Sequence, residues 1–188
     1  MPITVSRETV LRVGVVTAII GGALRAVASF APALVTSAGA RESVYVMVDV
    51  CLGTSLASFF SIRGLRPVAV GGLALALAGI AIVRLDRMLS LGTLYPVAAF
   101  ATAIGVMALS GSLWSRRIIA GWVPMAFALS TELGVLGTIM AGANTLFVWS
   151  GVVFGVTFAS LGCMIGSSGQ WRGPSGRQHE RDGYSHAS

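Results

Sequence analysis

Six blocks of nearly unbroken apolar sequence, each about 17–24 residues long, govern what this chain can become. A helix rises 1.5 Å per residue, so blocks of that length cross a hydrocarbon core of about 30 Å. The blocks run 13–35, 44–62, 67–83, 93–111, 118–141 and 145–166. Apolar residues fill them throughout and form no stripe opposite a polar face, as a helix in water requires. Only 11% of the 188 residues are charged, where a soluble domain carries about 25%. The expected fold is all-α: one integral membrane bundle of six transmembrane helices with short loops over residues 1–166, then a tail over 167–188.

The breaks between blocks have turn or border chemistry. Residues 37–43 include Gly39, Arg41 and Glu42, and the basic turn 63–67 ends in Pro67, a residue suited to the first position of a helix. Residues 84–92 hold Arg84, Asp86 and Arg87, 111–117 ends in Arg116 and Arg117, and 142–144 is a minimal turn. Arginine also sets the orientation. With the N-terminus inside, inner segments carry Arg7, Arg12, Arg63, Arg66, Arg116, Arg117, Arg172, Arg177 and Arg181, and outer ones only Arg41, Arg84 and Arg87. That bias predicts both termini in the cytoplasm. Trp114 and Trp122 then mark the inner interface, and Tyr45, Tyr95 and Trp149 the outer one.

Lysine is absent, which reads as the coding bias of a GC-rich bacterial genome, so the expected location is a bacterial cytoplasmic membrane. A net charge of +6 would suggest nucleic acid in a soluble protein; here the arginines border apolar spans and meet lipid headgroups, so no nucleic-acid partner is expected. Arg7 and Arg12 before the apolar run 13–24, with Ala26-Val27-Ala28 after it, also imitate a cleavable signal peptide. Against cleavage, Arg25 splits the run from that site and apolar sequence resumes to Val35. The tail, with Trp171 and Tyr184 as its large apolar groups, is too polar to bury a core and is expected to be disordered and cytoplasmic.

Soluble-enzyme motifs are missing: no phosphate loop, no HExxH, no GxSxG and no paired CxxC. Both histidines, His179 and His186, lie in the tail, so neither metal nor cofactor is expected. Cys51 and Cys163 sit inside spans as small apolar residues. Glycine serves packing. Gly151, Gly155, Ala159, Gly162 and Gly166 descend one face of the last span, and Gly14, Ala18, Gly21, Arg25 and Ser29 one face of the first. Such faces let helices approach closely in lipid, within the chain or in a homo-oligomer. A faint internal echo also relates Tyr45–Arg63 to Tyr95–Arg116, each followed by a proline-bearing span.

Arg25, Asp49 and Glu132 are the informative residues. Each costs about 2.5–3.5 kcal/mol at a helix centre unless paired or wetted. Counted from the inner ends of their spans they lie at ~18, ~20 and ~21 Å, nearly one plane. An Arg25–Asp49 ion pair between consecutive spans is expected to fix register. Glu132, left over, is a candidate proton carrier or general acid, as is Asp49. Thr54, Ser58 and Thr131, with Ser55 and Ser130, are candidate pocket hydroxyls, and Pro124 a candidate bend. The layer suits a small transporter or channel for protons or a small polar or cationic solute. An embedded enzyme acting on a lipophilic substrate, such as an acid-initiated cyclase or isomerase, and an accessory subunit of a membrane complex are the alternatives. The expected partners are the bilayer and a small lipophilic or polar ligand.

Overall fold

The computed structural model describes residues 6–89, 94–140 and 144–168. The elements among them are all helical: α1 (Arg7–Ala28), the single turn α2 (Ala31–Leu34), α3 (Ala38–Phe59), α4 (Pro67–Leu89), α5 (Tyr95–Ser115), α6 (Trp122–Ile139) and α7 (Asn144–Ser167). All but α2 are long and apolar enough to cross a membrane, so the chain is a six-span, multi-pass membrane protein. The tail expected to be disordered lies, beyond Ser168, outside the described residues, as do the first two residues of the turn expected at 142–144, whose Asn144 opens α7.

Helix ends depart from the hydropathy blocks for local reasons. α1 starts six residues early because Ser6 caps it, its Oγ accepting from Thr9 N at 3.1 Å. It stops at Ala28, short of the block's end at 35, since Pro32 has no N–H to offer the Ala28 carbonyl. α4 runs on to Leu89 and takes Arg84, Asp86 and Arg87 out of the expected loop. The reason lies in Asp86: it is buried, and its Oδ1 accepts from Leu94 N at 3.1 Å, capping the first turn of α5. α6 begins only at Trp122, so Pro124 falls in its first turn, where no intrahelical donor is lost. The bend expected there has no cause.

The helices pack as a ring in chain order, α1–α3–α4–α5–α6–α7 and back to α1. Its seams are unequal. α4 with α5, and α1 with both α7 and α3, pack intimately, whereas α3–α4 and α5–α6 meet only slightly. Glycine makes the close pairs. A Cβ at Gly22 of α1 would lie 2.5 Å from Gly155 O of α7, and one at Gly72 of α4 would lie 2.6 Å from Gly105 O of α5. The two glycine faces read from the sequence are thus largely filled within one chain, Gly155 and Gly162 against α1, and Gly14 and Gly21 against α3, while Gly22, outside the α1 face read from the sequence, makes the close approach to α7.

The core is lopsided along the bundle axis. Leu56 and Phe59 of α3, Leu73 of α4, Leu109 and Leu113 of α5 and Phe127 of α6 are all buried in the half that ends in the arginine-rich loops. Phe158 of α7 sits among them, its ring 6.5 Å from Phe59, 6.4 Å from Phe127 and 5.9 Å from Phe154. That half is plugged; the opposite half holds a void.

The glycine contacts predict a contrast between adjacent residues. Gly72→Ala forces α4 off α5 and is expected to cost about 1–3 kcal/mol. Gly71→Ala adds a methyl group where nothing lies within 4 Å, and helix propensity makes it neutral or up to about 1 kcal/mol stabilising. Thermal unfolding of the two variants in lipid nanodiscs checks the sign of each.

Candidate functional site

The void is a cavity of about 600 Å³ walled by α1 and α3–α7. Its wall is built from single helix faces. Tyr45, Val48, Asp49 and Leu52 of α3, Ile80, Val83 and Arg87 of α4, and Phe147, Ser150 and Phe154 of α7 recur at three- or four-residue intervals. α5 adds Tyr95 and Phe100, α6 adds Thr131 and Thr138, and α1 adds Arg25. Aromatic and aliphatic side chains make up most of this surface. Charge collects at one end.

That end is organised by two arginines one turn apart at the close of α4. Arg84 reaches α3, with Nη1 2.5 Å from Glu42 Oε1 and Nε 3.6 Å from Asp49 Oδ2. Arg87 Nη1 lies 3.6 Å from Glu42 Oε2, and its guanidinium carbon stands 4.4 Å from the centre of the Tyr45 ring and 5.9 Å from that of Tyr95. A planar cation held against aromatic faces gains from the ring quadrupoles and is fixed in orientation. Tyr45 and Tyr95, matched positions of the sequence echo, therefore meet at one guanidinium. The cluster also supplies most of what joins α3 to α4 across their slight seam.

Hydrogen-bond capacity is left over. Arg87 Nη1 and Asp49 Oδ2 are both buried with no hydrogen-bond partner. Arg25 reaches the cavity beside Gly151 and Ser29, and makes no side-chain hydrogen bond or ion pair among the described residues. The serine and threonine hydroxyls of the wall have spent their protons. Thr131 donates to Phe127 O at 2.8 Å and Thr102 to Ala98 O at 2.9 Å. Ser130 and Ser150 donate to each other's carbonyls at 2.9 and 2.8 Å, clamping α6 to α7. The donors left over around this cavity are guanidinium N–H groups and the Tyr45 and Tyr95 phenols, which make no hydrogen bond among the described residues. Among the charged groups that line the cavity, Arg25 and Arg87 stand against Asp49, a formal surplus of positive charge.

The residues singled out from the sequence separate into two groups. Arg25, Asp49 and Thr131 line the cavity, although Asp49 takes Arg84 and not Arg25 as its ion-pair partner. Glu132 does not join them: it is exposed on the outer side of α6. Thr54 and Ser58 also lie elsewhere, Ser58 buried against α1 with its hydroxyl bonded back to Thr54 O at 2.8 Å. Sequence reasoning missed Glu42, Arg84 and Arg87, which hydropathy assigns to loops. The signal that could have found them is the helical spacing Ile80, Arg84, Arg87, which continues the apolar face of α4 into the charges. Cys51 and Cys163 are free.

No family model, curated protein or solved structure matches the chain.

The geometry predicts which charges act together. In a double-mutant cycle read by thermal unfolding, Arg84→Ala and Asp49→Ala are expected to couple by about 0.5–3 kcal/mol. Asp49→Ala and Glu132→Gln are expected to add to within about 0.5 kcal/mol, because Glu132 faces away from the cluster.

Proposed function

We propose that this protein is a small carrier that takes an amphipathic acid, an apolar body with an anionic head, into the half-open cavity. The observation that carries the reading is a pair of guanidinium groups at one end of an otherwise apolar and aromatic void: Arg87 Nη1, buried with an ion-pair contact at 3.6 Å but no hydrogen bond, and the half-buried Arg25. A buried donor without a partner costs about 1–3 kcal/mol, and an acidic oxygen arriving in the cavity relieves that cost. A charge-assisted bond to a guanidinium is among the stronger polar contacts available there. Phe100, Phe147 and Phe154 offer the surface an alkyl or ring system would cover.

Transport of a proton or a cation, the solute class the sequence favours, fits this wall less well. Two arginines face the void beside a single acid, and Glu132 stands outside it. The slight α3–α4 and α5–α6 seams support a carrier mechanism, since the tightly packed α4–α5 hairpin has only those two boundaries to shift. In this reading the membrane is the bacterial cytoplasmic one, and the charged end of the cavity faces away from the arginine-rich loops.

Binding of laurate, dodecylamine and dodecanol to the protein in nanodiscs tests the reading. Laurate is expected to bind at least tenfold more tightly than either analogue, and Arg87→Met and Arg25→Met are each expected to weaken it by about tenfold or more, as the loss of one charge-assisted bond implies. Laurate uptake into protein-containing vesicles should fall in the same variants. Equal affinity for dodecylamine, or full affinity in both variants, would overturn the proposal.

A further inference from the structure

Glu132 is exposed on α6, and its place on that helix is unusual. It stands ten residues from Trp122, about 15 Å along a helix some 27 Å long, so it lies near the middle of the span. Its neighbours on the same face are Trp122, Met125, Leu129, Leu136 and Ile139, all exposed and spaced alternately by three and four residues. The buried residues of α6, Val123, Phe127, Ser130 and Gly137, lie on the opposite side. Every other exposed charged residue among those described sits in a loop or in the first two turns of a helix.

An outward apolar row is in itself what any lipid-facing helix shows. Val13, Val16, Ile20 and Val27 of α1 form one with the same spacing, and acyl chains satisfy it. The α6 row differs by one residue. A carboxyl in the middle of the hydrocarbon finds no partner among acyl chains, and acids at that depth face a bundle interior, a wet cavity or one another. The cavity lies mainly on a different side of α6, through Ser130, Thr131, Gly134 and Thr138, and reaches the Glu132 face only at its far end, at Ile139.

We infer that the Trp122–Ile139 face of α6 is the contact between two copies of this chain, with the two Glu132 carboxyls hydrogen-bonded to each other across a two-fold axis normal to the membrane. The bilayer makes this occupant the matching one. Every copy holds Glu132 at the same depth, so a parallel two-fold pair brings carboxyl against carboxyl with no further adjustment. One proton held between them gives a short O–H···O⁻ bond and removes the like-charge repulsion. The alternate three- and four-residue spacing places the apolar neighbours as knobs of a left-handed helix pair, and a lone polar position in such a seam fixes its register.

Single-molecule photobleaching of the full chain in vesicles, over a series of protein-to-lipid ratios, tests the contact. Wild type is expected as dimers. Glu132→Gln, which keeps a hydrogen-bonding side chain, should retain them. Glu132→Leu, which suits lipid and leaves the bundle folded by circular dichroism, should raise the dissociation constant at least tenfold. In a Cys163→Ala background, oxidation should link Leu129→Cys into dimers and leave Ile20→Cys monomeric. A wild type that stays monomeric at every ratio, a Glu132→Leu variant that dimerises as well as wild type, or linkage through Ile20→Cys alone would overturn the inference.

Discussion

Backbone-to-backbone approach through glycine is the interaction on which the rest of this bundle depends. In lipid no hydrophobic force draws one apolar helix to another, so stability comes from packing and from satisfied polar groups. Where Gly22 meets Gly155, and Gly72 meets Gly105, the helices touch at their main chains and dispersion contacts accumulate along both axes. The ring therefore has firm members, α3–α1–α7–α6 and α4–α5, and two slight seams between them. The void opens where those members diverge.

The charged cluster answers the problem that this arrangement creates. α3 and α4 have little apolar contact to hold them, and Glu42, Asp49, Arg84 and Arg87 supply the connection at the end away from the plug. These pairs are incompletely satisfied: Asp49 Oδ2 and Arg87 Nη1 each have an ion-pair partner at 3.6 Å but no hydrogen bond. The same groups that close the seam thus leave donors facing the cavity. Structure and ligand chemistry share side chains here, so a ligand that engages Arg87 also alters what holds α4 to α3.

Length and hydropathy are enough to read the six spans, because a bilayer enforces both. The glycine faces were legible for a similar reason, since spacing of three and four residues marks a helix side whatever lies opposite. The polar site was legible only in part. Arg25 and Asp49 stand out as charges within apolar runs, whereas Arg84 and Arg87 sit at the end of a run and look like loop residues until Asp86 is seen to carry α4 past them. Depth can be counted along a helix only from its true end, and α6 starts at Trp122 and not at 118, which brings Glu132 from ~21 Å to ~15 Å from that end. The side it faces depends on how α6 is rotated in the ring, which the hydropathy of an almost wholly apolar helix does not record.

The aromatic plug has a kinetic consequence. Phe59, Phe127 and Phe158 pack together in the arginine-rich half, on the side of the core away from the charged end of the cavity. Under the carrier reading proposed above, net passage would need those rings to part, and because they belong to α3, α6 and α7, the rate would be governed by a repacking of the core. Turnover in such a protein would be slow and steeply temperature-dependent, closer to a revolving exchange than to a pore.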